Sequence, residues 1–238
     1  MSMDQQHIPD IIGSISFKAD RRQLQRILHV RDDSRYLPML MDLVDEAENY
    51  ARPKAVYREA YVEEGGEDWV ALDGKRFISR IMRVNLEEAG RAFFFVATCG
   101  RELEEWSLTI QDILEKFWAD AIKEMALASA VRALEEQLRQ RFQISGISAM
   151  NPGSLADWPL TAQPDVFAML GDAPLVIGVT LTQSCAMNPV KSVSGIYFPT
   201  VTSFASCQLC PRENCRGRKA PFESELFEKR YQVSQKAG

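Results

Sequence analysis

The sequence predicts an α+β domain with a largely antiparallel sheet. Three observations carry that reading: short apolar or alternating runs bounded by tight-turn residues, longer segments with apolar residues three or four apart, and no regular strand–helix–strand alternation. The chain has 238 residues, enough for one large domain or two small ones with a core of ordinary size. Hydrophobic residues make up 46% and charged residues 26%, the balance of a folded chain rather than a disordered one.

Residues 1–30 carry weak signals. Residues 35–50 predict an amphipathic helix with Leu40, Leu43, Val44 and Ala47 on one stripe, ended by Pro53. Residues 55–62 alternate as a strand, EEGGED turns the chain, and a short strand follows at 69–72. Asp73-Gly74 is a second turn signal, so a hairpin is expected. Ser79 is placed to cap a short helix ending at Leu86, with a stop near Gly90. Residues 92–98 (AFFFVAT) are continuously apolar and read as a buried strand. The aromatics at 93–95 belong to the core, since no basic residues interleave with them as in a base-stacking surface.

The longest periodic segment covers residues 102–142, with Leu108, Ile110, Ile113, Leu114, Phe117, Ala121, Ile122, Met125, Val131, Leu134 and Leu138 at helical spacing. Its length predicts two helices with a break near residues 107–109. Asn151-Pro152-Gly153-Ser154 is a turn or loop. A short helix over 162–170 stops at Gly171. Strands are expected at 175–181 and 193–198, a polar loop between them, and a terminal helix over 223–231 before a frayed end.

The formal net charge of −5 argues against a dedicated nucleic-acid binder. No window of 18 apolar residues predicts a membrane span. The start, MSMDQQHIPDIIGS, lacks the basic and apolar regions of a secretory signal, so a cytoplasmic location is expected. Five cysteines are too few for a disulfide scaffold and are expected as thiols, metal ligands or redox groups. The two histidines, His7 and His29, lie away from other candidate chemistry, which leaves a His-rich metal site or a Ser-His-Asp triad poorly supported.

Cys207-x-x-Cys210-x4-Cys215 places three thiols within nine residues. Cys185 or Cys99 is available as a fourth ligand for an iron–sulfur cluster or zinc, with Pro211, Arg212 and Arg216 around it. Unliganded thiols are the plain alternative, and a redox dithiol at Cys207 and Cys210 is a third. The loops at Pro152-Gly153-Ser154 and residues 182–194 are rich in small and hydroxyl residues, which suits either ligand approach or ordinary turns. Asp120 and Glu124 share a helix face, with Asp112 a little before them. They suit a cation or acid–base work, or simply a solvated face. Lys191 sits among hydroxyls and is a further candidate.

Residues 177–198, IGVTLTQSCAMNPVKSVSGIYF, resemble the activation domain of cobalamin-dependent methionine synthase. The matching positions are Leu181, Thr182, Ser184, Met187, Pro189, Ser192, Val193, Ser194 and Gly195, nine within fifteen residues. Pro152-Gly153 followed by Trp158-Pro159-Leu160 resembles the family's Pro-Gly loop. Thr98-Cys99-Gly100 is similar to a strand end in stand-alone relatives. The strong resemblance covers residues 92–220. It divides the chain into an N-terminal helix and hairpin region, 1–91, and an activation-domain-like core with the cysteines, 92–238, of the same domain.

The resemblance implies a C-shaped α+β fold with a twisted, largely antiparallel sheet and flanking helices. It implies a domain that binds S-adenosylmethionine and presents it to a corrinoid whose cobalt has been oxidised to Co(II), one electron coming from a reductase. On that reading Pro152, Gly153, Ser154, Ser184, Lys191, Ser192 and Ser194 border the ligand. Cys207, Cys210, Cys215 and Cys185 hold an iron–sulfur cluster or zinc. The chain is then an accessory of a cobalamin-dependent methyltransferase system. Its partners are a corrinoid protein, methionine synthase first, and an electron-donor protein. Two departures stand out: the family's arginine four residues before the glycine is Ala149, and the tyrosine after it is Ser154. The family's late tyrosines have no match among Phe204, Ala205 and Ser206. These departures keep open an adaptor that docks on a corrinoid protein without binding S-adenosylmethionine, or a metal or redox module that retains only the fold.

Overall fold

Most elements begin and end at the punctuation the chain carries. The structure, a computed structural model, describes residues 8–13, 15–202, 204–215 and 218–232. His7, Arg216 and the end of the chain lie outside these residues. A short strand β1, Asp10–Ile12, precedes helix α1, Arg21–Leu28, whose first turn is capped by Asp20 accepting from Gln23 N at 2.9 Å. His29 closes α1 in the left-handed region. Helix α2, Leu37–Tyr50, buries the expected stripe of Leu40, Leu43, Val44 and Ala47. Strands β2, Lys54–Gly65, β3, Trp69–Leu72, and β4, Lys75–Ile78, form a meander that extends the expected hairpin by a third strand, with Asp73 and Gly74 both at positive φ in the last turn. Ser79 caps α3, Arg80–Leu86, by accepting from Met82 N at 3.0 Å.

Strand β5, Arg91–Thr98, is buried along almost its whole length. Gly100 then starts α4, Arg101–Thr109, with φ of 98°, where an added Cβ would sit 2.3 Å from Arg52 O. The expected break falls slightly later than its sequence position, at residues 110–112. There Asp112 caps α5, Ile113–Phe142, by accepting from Leu114 N and Glu115 N. Buried positions on α5 recur every four residues: Trp118, Ile122, Ala126, Ala130, Leu134 and Leu138. That spacing turns the stripe by about 40° at each step. The first half of α5 therefore packs on α1, α2 and α4, and the second half on the sheet.

Strand β6, Ile147–Met150, is an edge element with no sequence signal of its own. Helix α6, Gln163–Leu170, ends at Gly171 as expected. The strand expected over 175–181 is instead a helical turn, α7, Ala173–Val176, followed by a two-residue strand β7, Thr180–Leu181. Pro174 suits the first turn of a helix, and Gly178 at positive φ ends it. A short apolar run does not by itself separate a strand from a packed helical turn. Strand β8, Met187–Asn188, pairs with β7 inside the polar loop, and β9, Ser192–Pro199, returns through the sheet. The expected terminal helix is one wide turn, Phe227–Tyr231.

The main sheet runs β4-β3-β2-β5-β9-β6, antiparallel throughout, with β1 added beside β2. It curls into a half-barrel with helices on both faces. One face, with Phe94, Val96, Ile196 and Phe198, packs on α3 and α6. The other, with Phe93, Phe95 and Tyr197, packs on the second half of α5. This is the α+β architecture the sequence predicts. Among the described residues, no helix is long and apolar enough to cross a membrane.

Gly195 sits where β6 and β9 press closest, and an added Cβ would lie 2.1 Å from Met150 O. Gly195→Ala is expected to destabilise the fold by about 2 kcal/mol or more through forced backbone movement. Gly74→Ala meets only open space and should cost about 1 kcal/mol for its positive φ. Urea denaturation of the two variants should show that ranking.

Candidate functional site

Beyond Met150 the chain leaves β6 in a sharp turn. Gly153 takes φ of 82°, its N–H donates to Trp158 O at 2.8 Å, and Ser154 N donates to Asn151 O at 3.2 Å. The Asn151 amide donates to Ser194 O at 2.7 Å, fastening the turn to β9. Pro152 and Trp158 are buried beneath it, while Gly153 and Ser154 are exposed. The segment around 204–207 folds back along β6. Ala205 bridges Ala149 in parallel, and Phe204 N donates to Ser148 Oγ at 2.7 Å.

A cavity of about 280 Å³ lies among these segments. Glu135 of α5, Ala149 of β6, Asn151 and Ser154 of the turn, Tyr197 of β9, and Phe204, Cys207 and Lys219 of the returning chain line it. Tyr197 OH donates to Glu135 Oε1 at 2.9 Å. Burial pushes the Tyr197 phenol well above the usual tyrosine range, and the Glu135 carboxylate pushes it the same way. The phenol therefore stays a donor, and the carboxylate keeps lone pairs for a ligand. The returning wall is anchored elsewhere: the Phe204 ring meets Tyr231 edge-on, Tyr231 OH donates to Asn85 Oδ1 at 2.9 Å, and Arg80 Nε donates to Tyr231 O at 2.6 Å.

The cysteines do not converge. Cys207 Sγ accepts from Lys219 N at 3.3 Å, Cys215 is exposed, and Cys185 lies on a separate turn, Cys185 N donating to Thr182 O. All five cysteines are free thiols. Among the described residues, no three Cys, His, Asp or Glu side chains come together as a metal-binding group. As arranged, Cys207, Cys210, Cys215 and Cys185 do not make the expected iron–sulfur or zinc site. The loop is organised by a guanidinium instead. Arg218 donates to Cys207 O and Cys210 O at 3.1 and 3.2 Å, to Ala220 O at 3.2 Å, and to Arg212 O.

Of the residues singled out in the sequence, Pro152, Gly153 and Ser154 form the turn at the cavity, and Ala149 and Cys207 line its walls. Ser184, Lys191, Ser192 and Ser194 sit apart from it. Ser194 is buried on the α6 side of β9, where its hydroxyl donates to Gln163 Oε1 and Gln163 Nε2 donates to Cys185 O. Ser192 Oγ lies 2.8 Å from Pro189 O and 2.9 Å from Thr98 Oγ1. Ser184 is exposed and bonds Thr182 within its own turn. Lys191 Nζ is held between Asp120 and Glu124 at 3.0 and 3.1 Å, so that acidic pair closes on a lysine of the same chain. Burial works against the Lys191 charge, but the two carboxylates hold its ammonium above the usual lysine range. Asp112 is the α5 cap. Glu135, Tyr197 and Lys219 had not been singled out. A larger hollow of about 540 Å³, walled by Glu87, Glu88, Arg91 and Arg230 at the ends of α3 and α5, includes none of the residues singled out in the sequence.

No family model and no curated protein matches the sequence. Among solved structures, the fold is similar to a crystal structure of the MetH reactivation domain bound to AdoHcy. The TM-score is 0.59 at 16% identity, covering 87% of this chain and 86% of that one. The chain therefore has an activation-domain-like fold, as the motif at 177–198 implies.

Cys99 is fully buried beside Glu104 and Lys123, and burial, with the Glu104 charge, pushes its thiol up to about 12. Its stability contribution is complete below the ordinary thiol value near 8.5 and is lost as pH rises toward 12. Stability should fall over that alkaline window, and Cys99→Ala should flatten the fall. Mass-spectrometric alkylation of the native protein should modify Cys215 first and Cys99 only on unfolding.

Proposed function

We propose that the cavity beside the Pro152-Gly153 turn binds S-adenosylmethionine and that the chain presents its methyl group to a corrinoid carried by a partner protein. The observation that carries this reading is positional. The turn that resembles the family's Pro-Gly loop borders a cavity, on the fold of a domain that binds AdoHcy. This chain's residues bind and orient, and the corrinoid supplies the reactivity. The partner's corrinoid, reduced by a one-electron donor, would supply the nucleophile for the methyl group, and the sulfonium sulfur would keep the electron pair of the broken carbon–sulfur bond as a neutral thioether. Methionine synthase is the corrinoid protein this reading proposes first, with a separate reductase as donor.

The Tyr197 hydroxyl donates to Glu135 and so orients that side chain as an acceptor in the cavity. Gly153 takes a positive φ, and a Cβ there would lie 3.3 Å from Leu160 Cβ, so a side chain would distort the turn that brings Asn151 and Ser154 to the cavity. One observation favours a second reading. Ala149 and Ser154 bring neither a guanidinium nor a phenol to the cavity, as suits an adaptor that docks on a corrinoid protein without the nucleoside.

Isothermal titration with S-adenosylmethionine separates the two. Saturable binding is expected, abolished in Gly153→Val, and bound ligand should slow alkylation of Cys207 several-fold while leaving Cys215 unaffected. A wild-type protein that shows no heat and no protection of Cys207 supports the adaptor instead.

A further inference from the structure

Resting on that reading of the cavity, we infer that Lys219 is the cation that holds the carboxylate of the ligand's amino-acid end, a role the strand residue Ala149 has no group to fill. A ligand such as S-adenosylmethionine or its demethylated product ends in a zwitterion, with an ammonium and a carboxylate on one carbon. A site that orients such a group needs one acid and one base facing it. The cavity contains one of each. Glu135 is its acid and Lys219 is its base. The remaining polar groups are largely occupied: Ser148 Oγ by Phe204 N, the Asn151 amide by Ser194 O, and Cys207 Sγ by Lys219 N.

Lys219 is exposed, and among the described residues no carboxylate lies within ion-pair distance of it. Most other cations around the sheet are engaged: Lys191 with Asp120 and Glu124, Lys75 with Asp165, and Arg91 with Glu59. Its backbone is held at the cavity wall. Lys219 N donates to Cys207 Sγ, and its neighbour Arg218 ties the loop through the carbonyls of Cys207, Cys210 and Ala220. A lysine offers a point charge rather than a bidentate fork. Its contribution is therefore charge-dependent, screened by salt, and replaceable in large part by arginine.

The test compares two ligands on the full chain. S-adenosylhomocysteine carries the zwitterion, whereas 5′-methylthioadenosine has the same nucleoside thioether without it. Wild type is expected to bind the first more tightly. Lys219→Gln should lose about tenfold in affinity for S-adenosylhomocysteine and nothing for methylthioadenosine. Lys219→Arg should retain most of the affinity. Added salt should weaken S-adenosylhomocysteine binding in the wild type and not in the glutamine variant. Equal thermal midpoints of the three proteins rule out a folding effect. Unchanged S-adenosylhomocysteine affinity in Lys219→Gln, or an equal loss for both ligands, overturns the role of Lys219 and leaves the cavity reading standing. A wild type that binds neither ligand overturns both.

Discussion

Pairing β5 between β2 and β9 puts an unbroken apolar strand at the middle of the sheet, and both of its faces must be covered. Each fully buried aromatic or aliphatic side chain contributes about 1.5–3 kcal/mol. The helices are placed accordingly. The α3 and α6 side takes Phe94 and Val96, and the α5 side takes Phe93 and Phe95. Register then fixes the site. Phe93 pairs with Tyr197 and Phe95 with Gly195, so Tyr197 faces α5, where Glu135 waits. A slip of one residue would exchange the faces and send Tyr197 toward α6. The absence of a side chain at Gly195 lets β6 lie close enough to β9 to support the turn at Pro152-Gly153.

Local signals made most of the fold legible in the sequence. Ser79, Gly171 and the Asp73-Gly74 turn act through hydrogen bonds and backbone conformations confined to a few residues. The buried stripe of α2 and the run at 92–98 announce themselves by spacing. The failures have physical reasons too. β6 is four residues long, and its partners are β9 and the segment at 205, both far along the chain. The apolar run after Asp172 packs as a helical turn because Pro174 and Gly178 set its backbone, which outweighs its strand-like composition. A single wide turn replaces the terminal helix because Tyr231 is held by Asn85 and Arg80 from elsewhere.

The site was legible only where it is local. The Pro152-Gly153 turn is a four-residue feature, and its motif is visible. The walls of the cavity come from α5, β9 and the returning chain, and no spacing rule connects Glu135, Tyr197 and Lys219. The serines of the second motif illustrate the converse. Ser192 and Ser194 belong to a recognisable pattern, yet their hydroxyls are spent holding β9, Gln163 and the loop at 182–192 in place. Such residues specify the scaffold on which the cavity rests. Their regular spacing is that of strand parity, which puts both on one face of β9.

The cysteine loop shows how the same composition can serve an opposite electrostatic arrangement. A cluster site gathers anionic thiolates around positive metal. Here neutral carbonyl oxygens gather around positive Arg218. Both arrangements close a loop that has little apolar content of its own, and both depend on a central cation. The planar donors of the guanidinium fix several carbonyl directions at once. A loop closed in this way has already lost much of its freedom, so a group it carries can meet a ligand at a smaller entropic cost. That rigidity fixes the backbone of Lys219 at the cavity wall although its segment is irregular.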